Sequence, residues 1–333
     1  MIAQSGMASR GSLGNQIVRR RRLDSDGNSG NTIESVTLRD GTDLVLKRVS
    51  PESDWMARET HDDGRLVAMW DAGVLAGVPA PIDHAIVSVE RDGTGWNVFM
   101  RDVTDALLAT SARLDRRGVR RVLSATKRLH EAFWDASLPE LCTLEDRYSL
   151  FSPATGRREL ERGSRHGTVF TRGWEAFLEH APADIAQAVS TILDRPQLLT
   201  EQLDRCERTL IHGDLRLGHL GFSTSGRVVL IDWAERVGMA PPAVELGWFL
   251  GFDGWRLDVS KDDVIADFRE IYADRFDATA LQLSLIGSLV QIGGLLGFWL
   301  AQEPTDQGRS LWTNELSWWV ATVDRALEVW SPV

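Results

Sequence analysis

The chain has 333 residues, 43% hydrophobic and 26% charged, the balance of a water-soluble globule long enough for two lobes. A net charge of -11 offers no concentrated basic face for a phosphate backbone, which argues against nucleic acid as the main partner. Cys142 and Cys206 stand far apart and in no metal-ligand spacing, so a reducing compartment, the cytoplasm, is expected.

Residues 1 to about 30 are rich in Gly, Ser, Asn and Arg, and partial disorder is expected there. Arg19, Arg20, Arg21 and Arg22 read as a short solvated run, and with no apolar stretch after them they make no twin-arginine export signal. Asp26 to Asn31 form a glycine-containing loop, open to two uses: a cover for nucleotide phosphates or a plain connection. Residues 32–38 and 43–49 are largely β-branched or apolar and flank Asp40-Gly41, which predicts a hairpin. After Pro51 the pattern predicts one helix running to about Leu75, stopped by Gly77-Val78-Pro79-Ala80-Pro81. Residues 85–90 and 96–100 predict a second strand pair, so the first hundred residues make a small sheet with one helix.

Beyond Asp102 the chain reads mainly helical, opening with Val119, Val122, Leu123, Leu129 and Phe133 at helical spacing. Residues 153–166 read as a polar, Arg- and Gly-rich insertion. Residues 281–302 carry no charge and are long enough to cross a membrane, but interleaved Gln, Ser and Gly favour a buried helix, and no membrane partner is expected.

Residues 209–237 interrupt this helical half. Leu210 and Ile211 lead into a polar loop carrying His212-Gly213-Asp214, and an apolar strand after a Ser-Gly turn ends on Asp232. Two carboxylates are thus delivered from loops at strand ends, where rigid scaffolds usually place chemistry. His212, Asp214, His219 and Asp232 are also all metal-ligand types, which keeps a hydrolase site of imidazoles and carboxylates as a rival.

The segment resembles that of the aminoglycoside phosphotransferase and choline kinase superfamily, relatives of protein kinases: HGD, an Asn five residues on, an apolar strand and an Asp. The resemblance covers nearly the whole chain in element order and carries the fold expectation. It implies an α+β, two-lobed protein-kinase-like fold, with a nucleotide-binding lobe over residues 1–101 and a helical catalytic and substrate-binding lobe over 102–333. The activity implied is ATP- and Mg²⁺-dependent phosphoryl transfer to a hydroxyl of a small polar acceptor such as an aminoglycoside, amino sugar or amino alcohol. A protein kinase is disfavoured, because no extended activation segment follows Asp232.

By the same resemblance Asp214 orients or accepts the hydroxyl proton, Asp232 holds magnesium, and His212 braces the loop. Lys47 on the 43–49 strand would meet the phosphates, with Glu59 as its carboxylate partner and Asp62 or Asp63 as alternatives one turn later. Met100 and Asp102 fall at the hinge that takes adenine through main-chain groups, and Glu245 stands where the family has a loop-steadying Asp. His219 departs from the pattern by replacing the metal-binding Asn. An imidazole favours softer ions than magnesium, so a nucleotide-binding pseudokinase with little turnover is the alternative. Aromatic faces suit sugars and cations, and Trp248 and Trp255 follow the site most closely among the tryptophans.

Overall fold

The computed structural model describes residues 12–23, 29–328 and 330. Its N-terminal part is a five-stranded antiparallel sheet in the order β1-β2-β3-β6-β5, built from β1 (Ile17–Arg22), β2 (Thr32–Leu38), β3 (Asp43–Val49), β5 (Ile86–Asp92) and β6 (Gly95–Met100). The short β4 (Ile82–Asp83) lies outside this sheet. Alternation decides what each face meets. Leu44 and Leu46 of β3 join Val36, Leu38 and Phe99 in a small cluster covered by Leu13 and Ile17, while Val49, Trp96 and Val98 face the main core.

The arginine run is therefore the edge strand β1 and not a free solvated segment. Its charged side chains point out, with Arg20 on Glu34 at 3.0 Å, as suits a strand whose outer edge must stay unpaired. Of the proposed phosphate-cover loop, residues 26–28 lie outside the described residues.

The helix expected to reach Leu75 is two helices, α1 (Trp55–Glu59) and α2 (Arg65–Asp71). Asp54 caps α1 through the amides of Met56 and Ala57, and Asp62 accepts from the amides of Gly64 and Arg65 to start α2. Between them His61 (φ 54°) and Gly64 (φ 120°) take left-handed backbone that no continuous helix accommodates.

The C-terminal part is helical: α3 (Arg116–Ala132), α4 (Leu144–Ser149), α5 (Pro153–Glu161), α6 (Arg165–His180), α7 (Ala183–Asp194), α8 (Gln197–Leu203), α9 (Pro242–Asp253), α10 (Lys261–Ile271), α11 (Ala278–Gln302) and α12 (Asp306–Leu327). The presumed insertion at 153–166 is thus α5 and the start of α6. Ser152 and Ser164 cap the two helices and Pro153 opens the first, signals that the polar composition obscured. The uncharged helix α11 is a core element: 89% of its most apolar window is buried, and Gly173 of α6 packs so closely on it that a Cβ there would meet the Gly294 carbonyl at 1.9 Å.

Five short strands frame the loop between α8 and α9: β4, β7 (Thr209–Ile211), β8 (Leu220–Phe222), β9 (Val228–Leu230) and β10 (Gly238–Ala240). β10 pairs with β7, while β8 and β9 form a hairpin joined in parallel by β4. This frame holds the loop ends in place.

Candidate active site

His212, Asp214, His219 and Asp232 converge. Gly213 has φ 82° and lies so close to the Arg236 carbonyl that a Cβ would reach within 1.9 Å, so glycine is required between His212 and Asp214. The Asp214 amide donates to His212 Nδ1 at 3.3 Å, which leaves Nε2–H to donate to the Ile231 carbonyl at 3.0 Å. His212 therefore ties the first carboxylate loop to the second. Burial pushes its pKa down to about 4, so the imidazole stays neutral and acts as a strut.

A buried relay supports the loop from behind. Glu245 accepts the Gly213 amide at 2.8 Å and His130 Nε2 at 3.0 Å, and Tyr272 hydroxyl donates to His130 Nδ1 at 2.8 Å. Asp253 accepts the Leu217 amide at 2.5 Å. His130, Tyr272 and Asp253 were not singled out in the sequence, since a lone polar residue on a helix gives no local signal of its partner.

Asp214 Oδ1 receives Arg236 Nη1 at 3.0 Å and Trp248 Nε1 at 2.8 Å. Arg236 lies 3.6 Å over the Trp248 ring and donates onward to Gln291 at 2.7 Å. Burial alone would raise the Asp214 carboxyl, but His219, Arg216 and Arg236 outweigh it and bring the pKa to about 2. Trp248 is thus a buried group that positions the Asp214 carboxylate. Trp255 donates to the Phe252 carbonyl and packs edge-on against Trp312. Arg236 and Arg216 were missed, although their places four residues after Asp232 and two after Asp214 are where a charge would reach the loop.

Asp232 carries left-handed backbone at φ 66°, a conformation that costs energy outside glycine and is held here by the strand frame. Its Oδ1 accepts from Lys47 Nζ, and Glu235 Oε1 lies 3.9 Å from the same ammonium. Burial works against the Lys47 charge, yet Asp232, Glu235 and Asp54 together hold its pKa above the ordinary lysine range. Asp232 is correspondingly held well below the usual carboxylate range, because Lys47 overcomes the cost of burial. Burial pushes the Glu235 carboxyl upward, against the pull of Lys47.

Glu59 is not the partner of Lys47. It pairs with Arg158 and with Arg162 at 3.0 Å, while its neighbour Arg58 forms a forked pair with the buried Glu159 at 2.8 and 3.0 Å. The cations of α5 and its C-cap draw Glu59 away from β3. Asp62 caps α2, and Asp63 offers its carbonyl to Arg91, so neither alternative replaces it. Met100 sits half-buried at the end of β6, and Asp102 accepts from the Thr104 amide and hydroxyl at 3.0 and 2.6 Å. A cavity of about 560 Å³ lies beside α1 and α5, lined by Gly30, Trp55, Arg58, Glu159 and Arg162 among others, and none of Lys47, Asp214 or Asp232 lines it.

One oxygen of Asp214, one of Asp232 and one nitrogen of His219 lie within 4.8 Å of one another. Two carboxylates and an imidazole are a donor set that fits a divalent cation, and His219 Nδ1 on the Asp214 carbonyl at 3.1 Å gives the ring the backing that metal-binding imidazoles use.

The sequence profile of the phosphotransferase enzyme family matches residues 21–282, and the chain belongs to that family. Its class is that of the small-molecule kinases. No curated protein sequence matches the chain. Among solved structures it is similar in fold to a microcompartment-associated aminopropanol kinase (14% identity, TM-score 0.52, covering 95% of this chain and 94% of that one). It is also similar to a choline/ethanolamine kinase family protein from Mesorhizobium loti (15%, 0.50, 93% and 91%) and to the choline kinase LicA from Streptococcus pneumoniae (12%, 0.50, 92% and 94%). These likenesses establish the two-lobed kinase fold.

Proposed function

We propose that the chain transfers the γ-phosphoryl group of ATP to a hydroxyl of a small polar acceptor. The observation that carries this is the convergence of Asp214 and Asp232 around one divalent-cation donor set beside a buried lysine. Asp214 Oδ1 is taken by Arg236 and Trp248, which fixes the carboxylate plane and leaves Oδ2 for an acceptor hydroxyl. As the hydroxyl oxygen bonds to phosphorus and the bond to the departing ADP oxygen breaks, the proton passes to Asp214. A carboxylate with a pKa near 2 is a weak base, so orientation of the hydroxyl contributes more than proton removal. Asp232 and His219 would hold Mg²⁺ or a related ion, which supplies neutralisation of phosphate charge. Lys47 sits where it can pass from Asp232 to a phosphate oxygen. The net charge of -11 suits a cationic acceptor, an amino alcohol or amino sugar.

A second function, nucleotide binding with little turnover, is favoured by two features: Lys47 is already engaged by acids of the same loop, and Glu59 is held by α5. The test is an acceptor screen with ATP and a divalent ion, reading ADP release. Release that depends on an amino alcohol or amino sugar supports the kinase. Nucleotide binding without release from any hydroxyl acceptor supports the second function, and no nucleotide binding overturns both.

A further inference from the structure

Arg216 Nη2 and Nε approach one atom, His219 Nε2, at 2.7 and 3.1 Å. Guanidinium groups only donate, so Nε2 is the lone-pair nitrogen, and Nδ1–H is committed to the Asp214 carbonyl at 3.1 Å. That lone pair stands 3.3 Å from Asp232 Oδ2, and Asp214 Oδ2 lies 3.5 Å from the other ring nitrogen. An unprotonated nitrogen and a carboxylate oxygen cannot hydrogen-bond to each other, and their approach demands a cation. Here the chain supplies its own: Arg216 sits on Nε2, 3.7 Å from Asp214 Oδ2, and its charge helps hold the Asp232 carboxyl down. The Arg216 side chain is 33% exposed against 7% for His219, so the arginine can swing outward and the histidine cannot.

We infer that Arg216 is an internal counter-cation that a divalent ion displaces, and that His219 makes the site select a transition-metal ion such as Co²⁺ or Mn²⁺ over Mg²⁺. An imidazole nitrogen binds these ions better than it binds magnesium, which prefers oxygen and keeps its waters. Arg216 then competes with the ion at the same lone pair, lowering affinity until the ion is abundant or a nucleotide adds phosphate oxygens. This deepens the phosphotransferase assignment and rests on it only for the use to which the ion is put.

The test needs neither nucleotide nor acceptor. Mn²⁺ binding to the full-length apoprotein is followed by electron paramagnetic resonance with Mg²⁺ as competitor, and Co²⁺ binding by its visible absorption. For the wild type, Mn²⁺ binding at least tenfold tighter than Mg²⁺ is expected, with a Co²⁺ spectrum showing nitrogen ligation. Arg216→Gln should tighten Mn²⁺ binding about tenfold, and His219→Asn should erase most of the Mn²⁺ preference together with the nitrogen signature. Equal Mn²⁺ preference in wild type and His219→Asn overturns the selectivity, and unchanged or weaker Mn²⁺ binding by Arg216→Gln overturns the displacement. Circular dichroism on both variants separates either result from misfolding. A protein that binds Mn²⁺ as described yet never turns over ATP refutes the kinase while leaving this inference standing, and turnover with a Mg²⁺-selective site does the reverse.

Discussion

Of residues 209–237 and helix α1, only the first forms ion pairs with Lys47. The loop delivers Asp232 and Glu235 to the ammonium, whereas α1 turns Glu59 toward Arg158 and Arg162. The loop is fixed largely from within, by a left-handed glycine and a histidine strut between its two halves. The helix has five residues, and although Asp54 caps its start, nothing within it holds the Glu59 side chain, which goes to the cations the neighbouring element presents. A site built on local hydrogen bonds is specified by its own segment, while one built on ion pairs between elements is specified by the partner.

The largest effect expected on the loop side comes from Asp214→Asn, which removes the group that orients the hydroxyl. A fall in kcat of about 10²- to 10⁴-fold is expected, with ATP affinity by calorimetry nearly unchanged. Equal loss of nucleotide binding would mean that Asp214 belongs to the nucleotide side and would break the division drawn here. Next in size, Arg236→Gln leaves Asp214 without its buried cation, and a loss of about 3–5 kcal/mol in unfolding free energy by denaturant titration is expected.

A smaller change should follow Trp248→Phe, which keeps the ring but deletes a donor to the Asp214 carboxylate. Such a bond favours the charged form, so the acidic limb of the pH–rate profile should rise by about one unit, equivalent to about 1.4 kcal/mol. On the helix side, Glu59→Gln should change ATP affinity by less than about twofold and lower the melting temperature by a few degrees, as expected of a partly exposed ion pair. A tenfold loss of ATP affinity would show that Glu59 leaves α5 for Lys47 when nucleotide binds, and the contrast between the two regions would then hold only without ligand.

The smallest effect expected is in the acid stability of the α1–α5 contact. Burial raises the Glu159 carboxyl, but hydrogen bonds and charge from Arg58, with Arg162, prevail and hold it below the ordinary glutamate range. A depressed carboxyl adds stability that is full above the unfolded-chain value near 4.5 and is lost as pH falls through the lower folded value. Glu159→Gln should therefore flatten the pH dependence of the melting temperature below about pH 5, and an unchanged slope would remove Glu159 from the acid response.

The strands at 32–38 and 43–49, the helix through Val119 and Leu129 and the buried character of 281–302 were legible in the sequence, because periodicity and turn chemistry act over a few residues. So were the four residues His212, Asp214, His219 and Asp232, which one loop and one strand end carry with little freedom. The break at residues 60–64 was hidden among polar residues that serve equally well inside a helix or as caps. The strand made of Arg19 to Arg22 escaped notice because its apolar partner lies across the sheet and not beside it in the chain. Tertiary structure alone decided that Glu59 belongs to α5, that Arg236 and Trp248 hold Asp214, and that Arg216 occupies the lone pair of His219. Each is a contact between side chains that sequence patterns do not couple, set by the distances and charges that packing brings together.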